Sequence, residues 1–250
     1  MDYSGLSRMS VLTRIEEARA AGKKLFAVLI DPEKCTGNAL FRTITLAHLA
    51  QPDFIFVGGS QWRQSVATTV EQIKAACDIP VVLFPGNNLQ LSDTADALLL
   101  LSLLSGRNPD FLIGQHVEVA CAIKTAGIET IPTAYLLIDG GRQSAVETVS
   151  QTRPITDPTV AAATALAGEL LGYRLAYLEA GSGALITVSK EMIVAVRKMI
   201  TLPLIVGGGL KTTDAIAGVL DAGADLIVVG NHLEQHPEDM PLFADFIHQW

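Results

Sequence analysis

Apolar residues along this chain gather in short unbroken runs instead of alternating with polar ones. Eight runs are β-prone: 25–30, 54–57, 81–84, 97–101, 134–138, 175–178, 204–206 and 226–229. A strand with one wet face alternates, whereas a run that is apolar throughout predicts a strand buried on both faces. Between the runs the spacing turns helical, over 38–50, 62–76, 112–126, 158–171, 189–200 and 212–222. Gly22, Gly127 and Gly223 fall just past helical stretches, and Ser189 and Thr213-Asp214 stand where helices would begin. The segment after the third run is short and weakly marked. Residues 8–21 predict an extra helix ahead of the first strand, and 242–250 a closing one.

Strand–helix alternation implies parallel strands joined by crossover helices. Eight such units in 250 residues match a closed (β/α)8 TIM barrel. An open doubly wound sheet is the other topology the pattern allows. No linker or low-complexity tract interrupts the chain, so residues 1–250 read as a single domain with an extra N-terminal helix. In such a barrel the loops after the strands form the active face. Here those loops hold Asp31-Pro32-Glu33-Lys34, Gly58-Gly59-Ser60, Pro85-Gly86-Asn87-Asn88, Asp139-Gly140-Gly141, Glu179-Ala180-Gly181-Ser182-Gly183, Gly207-Gly208-Gly209 and Gly230-Asn231. The opposite loops look like plain helix-to-strand turns, such as AGAD at 222–225.

Composition narrows the class. Apolar residues make up 49% of the chain and charged ones 18%, which excludes intrinsic disorder. The densest apolar stretch, 97–104, is far shorter than the ~20 residues a spanning helix needs, so no stable membrane insertion is expected. The opening MDYSGLSRMS lacks the apolar core of a signal peptide. Three scattered cysteines with no CxxC fit free thiols in a reducing compartment, so a cytoplasmic protein is expected. Eighteen basic against twenty-six acidic residues leave a net charge of −8. With no basic run longer than Lys23-Lys24, nucleic acid is not an expected partner. An anionic ligand would have to be held locally, by backbone amides, helix N-termini or a metal ion.

The strongest local signal for such a ligand is GGG after the seventh run and Gly230-Asn231 after the eighth. Glycines there let backbone N–H groups approach a phosphate, at the place where barrels commonly hold one; tight turns after buried strands are the plainer explanation. Glu179 directly follows a strand, so its carboxylate would enter the mouth. A largely apolar mouth would raise its pKa, which suits a general base for a hydroxyl; a salt-bridged turn residue is the alternative. Asp31 and Ser60 end neighbouring strands and so could share one Mg2+, or serve as a turn residue and a helix cap. Leu98–Leu104, Phe111-Leu112-Ile113 and 161–167 could leave an aliphatic groove or simply fill the core. The connection over 140–158 is long enough for a lid, and Arg153 within it would meet a diphosphate or only solvent. His116 reads as a packed residue.

In the order LFAVLIDPEK, FIFVGGS, VVLFPGN, FLIGQH, YLEAGSG, VGGG and VVGN, residues 24–232 resemble the geranylgeranylglyceryl phosphate synthases. FAVLIDP and VGGS resemble the archaeal and Bacteroidetes-type branch; the related heptaprenylglyceryl phosphate synthases carry a lysine where this chain has Leu29. The resemblance implies a Mg2+-dependent prenyltransferase that joins sn-glycerol 1-phosphate to geranylgeranyl diphosphate by an ether bond and releases diphosphate, in ether phospholipid biosynthesis. It implies Asp31 and Ser60 as metal ligands. It implies a glycerol-phosphate loop of Tyr177, Leu178, Glu179, Ala180, Gly181, Ser182 and Gly183, with phosphate contacts at Gly208, Gly209, Gly230 and Asn231. Glu179 is then the base and Tyr177 orients glycerol phosphate. A homo-oligomer, dimer or hexamer, and peripheral membrane contact go with it. The alternatives are another phosphate-binding barrel enzyme, dependent on a flavin or a sugar phosphate, and a non-catalytic phospholipid-binding barrel.

Overall fold

Eight parallel strands close on themselves in the computed structural model, which describes residues 9–59, 66–86 and 91–250. They are β1 (Leu25–Ile30), β2 (Phe54–Val57), β3 (Val81–Leu83), β4 (Ala97–Leu103), β5 (Glu129–Leu137), β6 (Leu175–Glu179), β7 (Leu204–Gly207) and β8 (Leu226–Val229). Each pairs with the next, and β8 returns to β1 with Val229 opposite Val28. This is the expected TIM barrel. The helices are α1 (Val11–Ala20), α2 (Gly37–Ala50), α3 (Val66–Ala76), α4 (Gln115–Ala126), α5 (Ala145–Ser150), α6 (Pro158–Leu170), α7 (Lys190–Met199), α8 (Thr213–Asp221), α9 (Asn231–Gln235) and α10 (Met240–His248). A π-helical turn, Asp110–Gly114, leads into α4.

The period of two along each strand sorts side chains into two cores. Phe54, Phe56, Leu99, Tyr135 and Tyr177 fill the barrel interior. Their neighbours Ile55, Val57, Leu136 and Leu178 fill the layer under the helices. Burying an aromatic or branched side chain of this size contributes roughly 2–3 kcal/mol, so both faces of every strand are committed.

Helix α1 closes the base of the barrel. Its Val11 and Ile15 join the interior cluster. Glu129, at the start of β5, accepts N–H bonds from Val11 (2.7 Å) and Leu12 (3.0 Å) and the Ser10 hydroxyl (2.8 Å), so it satisfies the open end of α1. Around the same base an acid precedes three of the even-numbered strands. Asp53, before β2, accepts the Phe26 N–H of β1 at 2.9 Å; Asp96, before β4, accepts Val81 of β3 at 2.7 Å; Asp225, before β8, accepts Leu204 of β7 at 2.8 Å. Each acid pins the lower end of the preceding strand.

Several elements differ from expectation. β4 and β5 are longer than their apolar runs, because Ser102, Thr130, Pro132 and Thr133 also lie in strand. Among the described residues between β3 and β4 there is no helix. The long connection 140–158 holds α5, whose Ser144 hydroxyl accepts the Glu147 N–H, and Ile155 bridges back to Ile138. α5 and α9 span only 6 and 5 residues, too few to show a helical period in sequence.

Candidate active site

The loops above the strands surround a cleft of about 780 Å3, counting its solvent-open part. Its wall is assembled from Asp31 and Lys34 after β1, Gly59 after β2, Phe84 after β3, and the glycine loops after β6, β7 and β8. Glu179 is the last residue of β6. It shares the inward parity of Tyr177, so its carboxylate enters the cleft while the residue stays buried.

Three features set the chemistry of that carboxylate. Burial removes it from water and raises its pKa to about 7, against a lowering by the Gly181 N–H, which donates to Oε1 at 2.7 Å, and by the Tyr177 hydroxyl. Phe84, Tyr135 and Tyr177 pack edge-to-face and tilted beneath it with centroids 5.4–6.0 Å apart. The Tyr177 hydroxyl is fully buried beside the carboxylate, close enough to favour its charge, yet no partner meets it in good hydrogen-bond geometry. Burial and the Glu179 charge hold both Tyr135 and Tyr177 far above the ordinary tyrosine pKa, so neither ionises.

The phosphate-side loops lock together through Asn231. Its Oδ1 accepts the Ser182 hydroxyl at 2.9 Å and the Gly183 N–H at 3.0 Å, joining the β6 loop to the β8 loop. Gly208 and Gly209 have φ of +85° and +72°. A Cβ on Gly208 would lie 2.6 Å from Glu179 Oε1 and 2.9 Å from the backbone N of Ala180 and Gly181; one on Gly209 would meet the Ile186 carbonyl at 2.7 Å. These glycines are therefore required by loop-to-loop packing, whatever else they bind. Among the described residues, the N–H groups of Gly208, Gly209 and Gly230 have no acceptor within the protein. Open amides at a strand-end cup are an anion-binding arrangement.

The opposite wall is acidic. Asp31 is clasped by Lys34, whose Nζ lies 3.0 Å from Oδ2, and accepts the Glu33 N–H at 3.0 Å. Gly59 leaves room for it: a Cβ there would fall 2.8 Å from Asp31 Oδ1. Glu234, on α9, sits 3.9 Å from Lys34 Nζ and accepts from Asn231 Nδ2 at 3.4 Å. Burial works to lower the Lys34 pKa, but the hydrogen bond to Asp31 and the charge of Glu234 outweigh it and hold the ammonium above its usual value. Burial also raises the Glu234 pKa, with Lys34 opposing and Asp31 adding to the rise.

The cleft thus brings together Asp31, Glu179, Gly181, Ser182, Gly183, Gly208, Gly209, Gly230 and Asn231. Ser60 lies outside the described residues, as do Asn87 and Asn88. Leu178 and Ala180 face the outer core, so only their backbone is available to a ligand. Tyr177 lies below the carboxylate and does not line the cleft, so its first partner is Glu179. Arg153 is exposed and lines a hollow beside α5 without lining the cleft. His116 is packed, its Nε2 2.9 Å from the Leu101 carbonyl. Of the proposed groove, Leu101 and Phe111 border the interior cluster, while Leu98 and Ala161 belong to the outer core. Reasoning from sequence missed Lys34, Glu234, Tyr135 and Phe84. A signal existed for the first two, each three residues beyond a strand-end polar residue (Asp31, Asn231) and so turned back over it.

The sequence profile described as the PcrB family matches residues 15–245. The chain belongs to the PcrB family. Among its relatives, a protein of Spirosoma linguale named geranylgeranylglyceryl phosphate synthase is 46% identical over 247 residues, spanning 96% of this chain and 97% of that one. One of the same name from Thermococcus gammatolerans is 43% identical over 85% of each chain. The PcrB-family barrel also superposes on the crystal structure of (S)-3-O-geranylgeranylglyceryl phosphate synthase from Thermoplasma acidophilum in complex with its substrate sn-glycerol-1-phosphate. The TM-score is 0.91 at 34% identity, covering 97% of this chain and 100% of that one.

Proposed function

We propose that this PcrB-family barrel is a geranylgeranylglyceryl phosphate synthase, which transfers a prenyl group from its diphosphate to a hydroxyl of sn-glycerol 1-phosphate. The full-length likeness to synthases of that name supports the reaction. One observation on this chain carries it furthest. A desolvated carboxylate with pKa about 7 stands beside a cup of open amides, which is what a phosphorylated alcohol needs to be bound and deprotonated.

In this reading the amides of Gly208, Gly209 and Gly230 hold the phosphate. Asn231 fixes the loop that carries Ser182 and Gly183. Glu179 accepts the hydroxyl proton as the oxygen bonds to C1 of the donor and the C1–O bond to diphosphate breaks, its electron pair leaving with the diphosphate. Tyr177 stays protonated under Glu179 and steadies its charge. The aromatic floor excludes water from the reacting carbon.

Magnesium belongs to the proposal. Asp31 offers a hard carboxylate oxygen at the rim, which suits a divalent cation that takes one or two protein oxygens and completes its shell with phosphate oxygens; the cation would take the place of the ammonium now 3.0 Å away. Asp31, with Ser60, would hold it. Bound there, Mg2+ supplies charge neutralisation to the leaving diphosphate. The same reading carries a cytoplasmic homo-oligomer, dimer or hexamer, which light scattering of purified protein reads directly.

The test is an assay with labelled sn-glycerol 1-phosphate and prenyl diphosphates of several lengths, sizing the products. Ether product that EDTA abolishes and Mg2+ restores is expected. Asp31→Ala should abolish turnover while leaving glycerol-phosphate affinity largely intact. No product with any donor sinks the reading.

A further inference from the structure

A donor diphosphate carries about three negative charges, and it must enter a mouth already lined by Asp31, Glu179 and Glu234. One divalent cation does not balance that assembly. Among the described residues lining the cleft, the lysines are Lys34 and Lys211, with no arginine, and His232 is engaged through Nε2 with Asp239 at 2.7 Å. Lys211 is exposed on the β7 loop, on the glycerol-phosphate side. Lys34 stands on the β1 side, beside Asp31.

We propose that Lys34 is a diphosphate-binding residue and that Glu234 is the residue that positions it. The inference rests on the synthase reading above, in which Asp31 carries the metal. Lys34 Nζ is 3.0 Å from the Asp31 carboxylate, so a phosphate held by a metal on Asp31 lies beside this ammonium. A metal on Asp31 takes over the negative charge that Lys34 now neutralises. The ammonium then needs another anion, and the diphosphate is the one present. Glu234 acts from the other side. At 3.9 Å from Nζ, and anchored through Asn231 Nδ2 at 3.4 Å to the loop behind it, it keeps a flexible side chain turned over the mouth, although that side chain is half exposed. As the C1–O bond breaks, charge grows on the diphosphate, and a fixed ammonium stabilises the leaving group more than the intact donor. Lys34 thus serves the donor and Gly208, Gly209 and Gly230 serve the acceptor.

Isothermal titration of the purified protein with inorganic pyrophosphate plus Mg2+, and separately with sn-glycerol 1-phosphate, tests this. Lys34→Met should weaken Mg2+–pyrophosphate binding roughly 10- to 100-fold, the range for a lost charge-assisted hydrogen bond, with glycerol-phosphate affinity within about twofold of wild type. Lys34→Arg should recover much of the loss. Glu234→Gln should weaken pyrophosphate in the wild-type background and add little in K34M, since it acts only through Lys34. Thermal unfolding of each variant confirms that the fold is kept. Unchanged pyrophosphate affinity in K34M overturns the proposal, as does an equal loss for both ligands. Because binding is read without turnover, failure here is distinguishable from failure of the synthase reading, which shows as no ether product from the wild-type protein.

Discussion

The two ends of the barrel treat their carboxylates in opposite ways. At the base, Asp225 is saturated: it takes the Leu204 N–H at 2.8 Å, Arg197 at 3.0 Å and Arg19 at 3.3 Å. Asp53 likewise takes Phe26, Arg14 and His248. At the mouth, among the described residues, Glu179 has one firm hydrogen bond, a tyrosine hydroxyl in poor alignment and no cation. Burial is strong at both ends, so desolvation alone does not separate them; the supply of donors does. An acid ringed by donors holds structure, and in Asp53 those donors outweigh burial and keep the pKa below its ordinary value. One starved of them is poised near neutrality, where it can take a proton and give it up.

The sharpest break of this contrast is Glu179→Gln. It keeps the acceptor for the Gly181 N–H but removes the base, so kcat should fall about 10²–10⁴-fold. Stability should move the other way with pH. In the folded protein burial raises the Glu179 pKa to about 7 from the ordinary 4.5, so its contribution is full below pH 4.5 and is lost as pH rises through 7. E179Q should lack that loss, and the wild-type rate should climb with pH through about 7. Melting curves and saturating rates across pH check both; an E179Q enzyme with wild-type kcat removes Glu179 from the mechanism.

Asp225→Ala is the mirror case. It strands the Leu204 N–H and two arginines around a buried site and should cost roughly 3 kcal/mol, read as a lower denaturation midpoint. The kcat of the folded fraction should be unchanged. A large kcat loss in stable D225A would mean that the base is not merely structural.

The smallest effect lies at His248. Asp53 raises its pKa above 6.5, chiefly through their hydrogen bond, while His248 and the Phe26 N–H hold Asp53 below 3.8 against the rise from burial. The pair contributes fully between those values. It weakens in acid as Asp53 protonates and in base as His248 loses its charge. His248 is about one-third exposed, so solvent screening limits the term to about 0.5 kcal/mol. His248→Gln should flatten stability between pH 6 and 8 by that amount; an unchanged slope would assign it to other groups.

The barrel was legible because each strand is buried on both faces, which leaves apolar runs that need no partner to be recognised. β5 was legible only in its second half, since Thr130, Pro132 and Thr133 read as a loop until β4 and β6 pair with them. Asp53, Asp96 and Asp225 each precede an apolar run in the same way, yet AGAD was read as a plain turn, because pinning a neighbouring strand is a three-dimensional role. In the site, Glu179 and the glycines stood out by position after strands. The Lys34–Glu234 contact joins residues two hundred apart and is set only when β8 closes on β1.

Gly207 carries a last consequence. A Cβ there would fall 2.5 Å from the Tyr177 hydroxyl and 2.8 Å from Glu179 Oε2. Three positions on adjacent strands therefore share one volume, and the order in which they can change during evolution is restricted. Alanine at 207 collides with the tyrosine oxygen, whereas alanine after Tyr177→Phe meets the movable end of Glu179 and a ring edge 3.1 Å away that must shift by a few tenths of an ångström. The glycine is held in place by its neighbours' side chains, and a lineage that lost the hydroxyl first would meet less resistance to losing the glycine next.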